Sequence, residues 1–422
     1  MAAAAESIPF PASCDVLVVG AGPAGSACAQ LLARAGLHTL LVDAQAFPRD
    51  KVCGDGLIPD AHAALQRLGV HDEVMAHAQR ARHVGCVGPR GGRIDVPGRL
   101  AVLPRRQLDD IVCRAARRAG AEFHAPARFE APLVDGERVV GARLRVGDAV
   151  HELRAHQVVL ATGAVPQALI AAGVCERRTP SAVALRGYAH NPAMSERITE
   201  LEVVWHKRLS KGYGWVFPCG DGVFNIGVGL IHSHARQSDG RQTMQDVNLR
   251  QMFATFCEVY APARELMRGG TMQGDLKGAP LRCSLDGAAL TRPGLMVTGE
   301  AAGSTYAFTG EGIGKAMETG MLAARALIDA GAAARPAAAD GPTLDAAHAP
   351  YRAAIAALKP RFELYERANR VNEHPWLADL LIWRAQRSAR ILRRMEGVLE
   401  ETGNPGNLVS VRGIVRLFLP IR

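Results

Sequence analysis

A glycine-rich turn near the start of the chain has the residue types that bind a dinucleotide. The apolar run Val16–Val19 leads into the turn, and an Ala- and Leu-rich stretch typical of a helix follows it. The turn residues that could approach a ligand are Gly20, Gly22, Pro23, Ala24 and Gly25. A turn without side chains lets the backbone come close to a pyrophosphate, and the helix N-terminus offers it free N–H groups. Asp43 ends the next apolar run and can bind a ribose hydroxyl. The pattern predicts a dinucleotide site, and its position near the N-terminus favours FAD over NAD(P).

Two later segments repeat the strand-to-turn pattern. One is Val158–Ala164, and the other is Gly294–Gly303. Because the three turns are far apart in sequence, we predict one nucleotide domain of α/β class built from discontinuous segments. The region between about 180 and 285 has alternating and aromatic character, which predicts an inserted, mostly antiparallel sheet.

The expected architecture is therefore a Rossmann-like FAD-binding domain, an inserted antiparallel-sheet domain and a helical C-terminus, α+β overall. A Pro-, Ala- and Asp-rich stretch at 331–349 predicts a loop, and the last part of the chain reads as helical up to Gly403. We place the FAD-binding domain at 12–79, 102–175 and 288–335, the substrate-binding sheet domain at 80–101 and 176–287, and the helical region at 336–422.

Composition narrows the class of protein. The 422 residues are 48% hydrophobic and 22% charged, which is typical of a folded protein. The nine cysteines contain no C-x-x-C pair, so neither a metal site nor a disulfide framework is expected, and reduced thiols indicate the cytoplasm. No basic n-region marks a leader, and no apolar run reaches the roughly 18 residues that a membrane span needs. The net charge is +9, but the basic residues are not interleaved with aromatic ones as on a nucleic-acid-binding surface, so no nucleic-acid partner is expected.

The C-terminal region is basic and contains tryptophan. Leu380–Trp383 is accompanied by five arginines, and the chain ends in the basic, apolar segment 411–422; the arginines are Arg384, Arg387, Arg390, Arg393 and Arg394. Such a helix can lie on an anionic membrane surface as a peripheral contact. The alternative is a surface helix whose apolar face packs on the protein body, and the composition favours this alternative.

Taken with three further motifs, the chain resembles the geranylgeranyl reductase family of FAD-dependent oxidoreductases, within the p-hydroxybenzoate hydroxylase-like superfamily. The resemblance covers most of residues 14–330, and its motifs are Lys51–Pro59, Lys211–Pro218 and the pair Thr298–Gly303 and Thr309–Ala316. It implies FAD as cofactor, an apolar isoprenoid-type substrate and the interrupted fold described above. An arginine pattern near the cofactor, similar to that of the superfamily, selects Arg105 in Leu103–Asp109. The alternative is that this arginine opens a solvated helix.

The Lys51–Pro59 loop is placed beside the flavin by the resemblance. Cys53 and Gly54 would then contact the cofactor, and the Cys53 thiol could donate a proton, tune the flavin or do redox work. The alternative is a small buried hydrophobic residue, the usual fate of a free cysteine.

The Lys211–Pro218 element lines the substrate cavity in the family. Strand alternation puts Tyr213, Trp215 and Phe217 on one face, where they could form an aromatic wall for an apolar ligand. The alternative is that this face fills the domain core. Tryptophan-containing strands also occur in flavin-dependent halogenases, so this motif leaves the reaction open.

The 298–316 segment is similar to the superfamily's second flavin motif. Its predicted cofactor-binding residues are Gly299, Glu300, Gly310, Gly312, Ile313 and Gly314. Glu300 stands where the superfamily usually has an aspartate on the ribityl chain, so the charge is kept. The glycine turn opens a helix whose N-terminus could stabilise negative charge on reduced flavin. The alternative is an ordinary glycine-rich helix start.

One departure concerns the electron donor. Many superfamily members have an Asp-Gly motif near position 160, whereas this chain has Ala161-Thr162-Gly163. Because that motif is linked to nicotinamide handling, NADPH and another external reductant both stay open as the donor.

Three reactions follow from these residues, and the first is favoured. A reductase of C=C bonds would use hydride from reduced flavin and a proton from Cys53, Tyr213 or water. A monooxygenase or halogenase would use flavin and oxygen. An electron-transfer flavoprotein would donate to a quinone or a protein partner, with the basic C-terminus as its docking surface. The oligomeric state is not indicated by the sequence.

Overall fold

The computed structural model describes residues 10–209, 211–232, 234–236, 242–244, 246–333 and 341–405. The first nine residues and the basic segment 411–422 lie outside this part of the chain. The strands are β1 (Ser13–Val19), β2 (Thr39–Val42), β3 (Gly56–Leu57), β4 (Gln79–Val87), β5 (Arg93–Val102), β6 (Glu122–His124), β7 (Arg128–Asp135), β8 (Arg138–Val146), β9 (Ala149–Leu160), β10 (Ala182–His190), β11 (Leu201–Val204), β12 (Gly212–Gly220), β13 (Val223–Ile231), β14 (His234–Arg236), β15 (Gln242–Met244), β16 (Thr271–Met272), β17 (Lys277–Leu281), β18 (Thr291–Arg292) and β19 (Leu295–Val297). The helices are α1 (Pro23–Arg34), α2 (Pro59–Leu68), α3 (His71–His77), α4 (Arg105–Arg118), α5 (Gln167–Ala171), α6 (Leu249–Val259), α7 (Ala261–Gly269), α8 (Ile313–Ala333), α9 (Gly341–Leu344), α10 (His348–Ala368), α11 (Arg370–Glu373), α12 (Trp376–Ala385) and α13 (Ala389–Leu399).

The first large sheet is the Rossmann-type sheet expected for FAD binding. Its order is β18-β19-β9-β1-β2-β6, and β1 pairs in parallel with both β2 and β9. The central strands are Val- and Leu-rich and buried in their carboxyl-terminal halves, as strands covered on both faces must be. Helix α1 packs on α8 and α4 against this sheet. The carboxyl ends of β1, β2, β9 and β19 therefore bring the three glycine turns and Asp43 to one edge of the sheet, where such folds bind ligands.

The second large sheet is mostly antiparallel. Its order is β16-β10-β13-β12-β11-β4-β5-β3, with β17 on β10 and a parallel pairing of β4 with β11. The sheet takes its strands from two separate parts of the chain, 56–102 and 182–281. The numerical division of the chain into domains stays a prediction.

Helices α10 to α13 form the C-terminal region and pack on both halves of the molecule. Helix α10 contacts α8, whereas α12 and α13 contact the β4–β5 pair. No helix among the described residues is long and apolar enough to cross a membrane.

The loop expected at 331–349 is wrong wherever the structure describes it, since α8 continues to Ala333. Residues 341–349 are helical, because α9 is followed by a 3-10 turn and by the start of α10. Leu344 and Ala347 are fully buried in the core that contains α8. Burial of these apolar side chains therefore outweighs the Pro- and Asp-rich local composition. Residues 334–340 lie outside the described part.

Candidate active site

A cavity of about 940 Å³ lies between the two large sheets and the C-terminal helices. Most of the residues singled out in the sequence line it: Gly20, Gly22, Pro23, Ala24, Asp43, Cys53, Gly54, Arg105, Tyr213, Trp215, Phe217, Glu300, Gly310, Gly312 and Ile313. Gly25, Gly299 and Gly314 are not part of the lining and lie behind it. The fold thus brings together segments that are up to about 290 residues apart in the chain.

The glycine turn after β1 is shaped by close backbone contacts. A Cβ at Gly25 would lie 1.8 Å from Gly20 O, so the helix can approach the strand only with glycine at that position. A Cβ at Gly22 would lie 3.6 Å from a guanidinium nitrogen of Arg49 and 3.8 Å from one of Arg105. The turn and these two cations therefore border one groove, a suitable environment for a diphosphate.

A chain of ion pairs fixes the two cations. Arg105 Nε and Nη2 donate to both carboxylate oxygens of Asp109, at 2.6 and 2.8 Å. Arg49 Nη1 donates to Asp109 Oδ2 at 2.9 Å, and its Nε donates to Asp43 Oδ1 at 3.2 Å. Asp43 Oδ2 also accepts from the Ala21 N–H at 2.9 Å, which ties β2 to the glycine turn. Arg49 and Asp109 were not predicted from the sequence. Asp109 could have been, because it follows Arg105 at the i,i+4 spacing of an ion pair within a helix.

The second flavin motif forms the opposite border of the cavity. Gly310 has a φ of +71° and lies in the short loop that leads into α8, which begins at Ile313. Glu300 lines the cavity, with its carboxylate 3.7 Å from Lys51 Nζ and accepting from the Thr305 hydroxyl at 3.4 Å. The long helix α8 directs its unpaired N–H groups and positive dipole end toward this side.

These residues fit FAD. The glycine positions leave an open cradle beside two guanidinium groups, and the Thr162 hydroxyl is buried at the cavity without a hydrogen-bond partner among the described residues. A buried hydroxyl of this kind is available to a ligand. Gly20, Gly22 and Asp43 would hold the adenosine diphosphate part, and Glu300, Gly310 and Gly312 would hold the flavin part.

The Cys53 loop is held by a buried polar hub at Asp55. Asp55 is fully buried with φ of +64°, and its carboxylate accepts from Arg105 N at 3.2 Å, from Asn225 Nδ2 at 2.8 Å and from the Tyr188 hydroxyl. Burial raises the pKa of Asp55 to about 6. Asn225 Nδ2 also donates to Cys53 O at 2.8 Å. Asn225 and Tyr188 were missed because nothing in a strand pattern marks a polar residue as the partner of a loop that lies 170 and 133 residues away, respectively.

The aromatic wall expected on β12 is present as a row of neighbouring rings. The ring centroids of Tyr213 and Trp215 are 6.3 Å apart, and those of Trp215 and Phe217 are 6.4 Å apart. Trp205, which the sequence analysis missed, extends the row at 6.2 Å from Tyr213. Both Phe217 and the indole nitrogen of Trp215 approach Gly54, where a Cβ would lie 3.3 and 3.6 Å from them. The wall therefore faces the Cys53 loop directly.

The remaining walls of this end of the cavity are aliphatic. They come from the second sheet and from the C-terminal helices: Val84, Val96, Val203, Val371, Leu381, Met395, Val398 and Leu399. The cavity thus has a cationic, glycine-lined end and an apolar end, and the apolar end suits a hydrocarbon ligand.

Two protonated groups stand where these ends meet. Burial raises the pKa of the Cys53 thiol and that of the Tyr213 hydroxyl, so both carry their protons at neutral pH. The Tyr213 hydroxyl donates to Thr309 O at 2.7 Å, which ties β12 to the flavin motif. Each group can therefore act as an acid, whereas a thiolate at Cys53 is disfavoured.

Comparison with known proteins agrees with this site. A family model described as an FAD binding domain matches residues 13–252. Menaquinone reductase of Mycolicibacterium smegmatis is 33% identical over 75% of this chain and 77% of its own length. Digeranylgeranylglycerophospholipid reductase 1 of Methanopyrus kandleri is 29% identical over 75% of this chain and 80% of its own length.

Two solved structures share the fold. A geranylgeranyl bacteriochlorophyll reductase-like protein from Thermoplasma acidophilum has a TM-score of 0.70 at 23% identity, covering 96% of this chain and 95% of its own. A flavin-dependent brominase has a TM-score of 0.64 at 20% identity, covering 96% and 93%. Likeness at this level of identity establishes the fold alone.

Proposed function

Since the chain belongs to the geranylgeranyl reductase family of FAD-dependent oxidoreductases, we propose that it reduces carbon–carbon double bonds of an apolar, isoprenoid-type substrate. The observation that carries the proposal is the apolar end of the cavity, whose aromatic wall faces the Cys53 loop of the FAD site. Two relatives named for a geranylgeranyl lipid and for menaquinone support an isoprenoid-bearing substrate.

The FAD held by the glycine turns and Glu300 would supply, in its reduced form, the hydride for one alkene carbon. The rings of Trp205, Tyr213 and Trp215 hold the alkene and exclude water from it. The other alkene carbon takes a proton, and Cys53 Sγ and Tyr213 Oη are the two protonated groups predicted from the sequence that line the cavity. Because Tyr213 already donates to Thr309 O, we assign the proton to Cys53 and a positioning role to Tyr213.

Each turnover consumes two electrons, so an external donor must reduce the cofactor again. NADPH and a protein or small-molecule reductant are both compatible with the proposal. The substrate is the partner that the cavity implies, and neither a nucleic acid nor a metal enters the reaction proposed.

Anaerobic flavin absorbance tests the proposal directly. The purified protein is first reduced with dithionite in the absence of oxygen. An isoprenoid with internal double bonds, such as geranylgeranyl diphosphate, is then added, and the flavin absorbance at about 450 nm is followed. Return of the oxidised flavin, together with a product heavier by two hydrogens per turnover, is the expected result. The fully saturated isoprenoid is the matched control, and it should leave the flavin reduced.

Two other outcomes would replace the proposal. Recovery of the flavin only when oxygen is admitted, with each isoprenoid unchanged, would favour a monooxygenase or a halogenase. Anaerobic recovery on adding a quinone, without reduction of any C=C bond, would favour an electron-transfer flavoprotein.

A further inference from the structure

We propose that helices α12 and α13 form a docking surface for an anionic lipid bilayer. The surface is defined by Trp376, Trp383, Arg387, Arg390, Arg393 and Arg394. All six side chains are exposed.

The two tryptophans point straight out of α12. Trp376 and Trp383 are 57% and 42% exposed, and of the large hydrophobic residues exposed in the described part of the chain they are the only aromatic ones. Their spacing of seven residues puts them on the same face of the helix. The opposite face is apolar and buried against β4 and β5: Leu377, Ala378, Leu381, Ile382 and Ala385. The apolar face expected to pack on the protein body is therefore present, and the two tryptophans lie outside it, exposed to solvent.

The charge of the surface is one-sided. Over the two helices that form it, residues 376–399, the sequence has five arginines against two acidic residues, Asp379 and Glu396. Asp379 is engaged by the β4–β5 turn, since it accepts from the Arg90 N–H at 3.0 Å. The guanidinium of Arg387 lies 5.0 Å from the centroid of Trp383. Arg390, Arg393 and Arg394 occupy the face of α13 away from its buried Ile391 and Val398.

This combination matches a bilayer interface. Tryptophan is amphipathic and is enriched at the headgroup level, where its ring is buried and its N–H stays hydrated. Arginine side chains beside it are attracted by anionic headgroups. A protein interface would instead favour acidic residues to complement or neutralise the arginines, and α12 has only the engaged Asp379.

The docking surface also lies directly over the apolar end of the cavity. Leu381 on α12 and Met395 and Leu399 on α13 line that cavity from the inner faces of the same two helices. One layer of helix therefore separates the membrane from the substrate chamber. That the bilayer supplies the substrate rests on the proposed function, whereas the docking itself does not.

Vesicle flotation of the FAD-loaded full-length protein tests the docking. The protein should float with vesicles of phosphatidylcholine and phosphatidylglycerol and should bind at least about tenfold more weakly to phosphatidylcholine alone. Replacing Arg390, Arg393 and Arg394 together by Gln should weaken binding roughly 100-fold, since each arginine near anionic lipid contributes about fivefold. The same three positions replaced by Lys should restore it.

The tryptophans need a separate variant. Trp376→Ser with Trp383→Ser should weaken binding by about tenfold and abolish fluorescence quenching by brominated lipid. The matched control is Val134→Ser with Val150→Ser, two exposed apolar residues of the other large sheet, which are 54% and 46% exposed. Arg143, Arg154 and Arg178 replaced together by Gln match the change in charge elsewhere on the surface.

Equal binding to both vesicle types, or unchanged binding of the arginine and tryptophan variants, would overturn the proposal. A dimer in sedimentation that the Trp376 and Trp383 variant dissociates, without vesicle binding, would assign the surface to a second copy of the chain instead. Flotation needs no turnover, so failed flotation with successful alkene reduction would remove the docking alone. The reverse result would remove only the proposed reaction.

Discussion

The indole Nε1–H of Trp215 donates to Asn225 Oδ1 at 2.9 Å, and this one bond joins the aromatic wall to the polar hub beneath the Cys53 loop. The amide nitrogen of Asn225 reaches the other way, to Cys53 O and to Asp55 Oδ2, at 2.8 Å each. Asn225 is itself fully buried, so its groups have no water to replace these partners. Asn225 therefore links the aromatic wall to the Cys53 loop, in addition to the direct approach of Trp215 and Phe217 to Gly54.

We expect Asn225→Leu to slow alkene reduction by about 10- to 100-fold, because the wall and the Cys53 loop lose their common anchor. Leaving the Trp215 N–H unpaired should also lower the free energy of unfolding by about 1–3 kcal/mol. The measurements are the anaerobic single-turnover rate and urea unfolding with excess FAD.

Asn248→Ala is the matched control, since Asn248 caps α6 by accepting from Arg250 N and Gln251 N. It should cost about 1 kcal/mol of stability and leave the rate unchanged. Equal rates for both variants would show that Asn225 has no positioning role.

Replacing Cys53 tests the assignment of the proton. If Cys53 Sγ holds the proton, Cys53→Ala should lower the anaerobic rate of alkene reduction by about 10²- to 10⁴-fold without changing FAD binding. Cys53→Ser retains an O–H donor and should recover part of the rate. Cys257 is a half-buried thiol on α6, and Cys257→Ala serves as the control that should leave the rate of alkene reduction unchanged. A full rate in Cys53→Ala would move the proton to Tyr213 or to water, and Tyr213→Phe would then decide between them.

Glu311, in the glycine loop before α8, should make the protein less stable as pH rises. Burial raises the pKa of Glu311 from its ordinary value of 4.5 to about 8, with a smaller contribution from Asp60, while Lys315 acts in the opposite direction. Between those values the folded protein keeps a proton that the unfolded chain has lost. The free energy of unfolding must therefore fall as pH rises across this window.

The variant Glu311→Gln removes that titration. We expect its Tm to decline less than that of the parent protein between about pH 5 and pH 8, as measured by thermal unfolding in matched buffers. Glu318→Gln, on the helix α8 that follows this loop, is the comparison, since its carboxylate is paired with Lys315 at 2.7 Å. Parallel pH profiles for the parent and Glu311→Gln would contradict the expected ionisation.

Glu401 fastens the C-terminal region to the helix that follows the flavin motif. Its carboxylate accepts from Lys315 Nζ at 2.9 Å, from Arg361 Nη1 at 2.7 Å and from the Tyr306 hydroxyl at 2.9 Å. Lys315 is almost completely buried, and without Glu401 its charge would be balanced by Glu318 and Asp60 alone.

We therefore expect Glu401→Gln to lower the free energy of unfolding by about 1.5–3 kcal/mol, because charge-assisted hydrogen bonds to Lys315 and Arg361 are weakened. It should also raise KM for the apolar substrate, because α13 helps to line the cavity. Urea unfolding and steady-state kinetics provide the two measurements. Glu400→Gln is an exposed neighbour in the sequence and should change neither. An unchanged stability for Glu401→Gln would show that the C-terminal region is held by apolar packing alone.

Much of the cofactor end could be predicted from the sequence. The glycine turn at 20–25 and Asp43 belong to one βαβ unit, whose strand, turn and helix are encoded by neighbouring residues. The row Tyr213, Trp215 and Phe217 follows from strand alternation alone. Apart from Ala21 and Gly25, these positions line the cavity, while the chemical roles assigned to them stay predictions.

Other features depended on partners that local patterns do not contain. Composition predicted a loop over 341–349, yet the segment is helical, because Leu344 is buried in the core beside α8. The basic, tryptophan-containing stretch left open whether its apolar side packs or binds a membrane. In the structure the apolar side packs, and Trp376 and Trp383 are left exposed on the opposite side.

The sequence by itself determined the family, the cofactor and the aromatic row that lines the cavity, because each is encoded in short motifs with fixed spacing. Only the tertiary structure decided that Asp55, Asn225 and Trp215 form one network, and that α12 and α13 close the apolar end of the cavity. The physical reason is that a hydrogen bond or an apolar contact needs two partners at one place. When about 170 residues separate the partners, as with Asp55 and Asn225, only the folded chain specifies which residues meet.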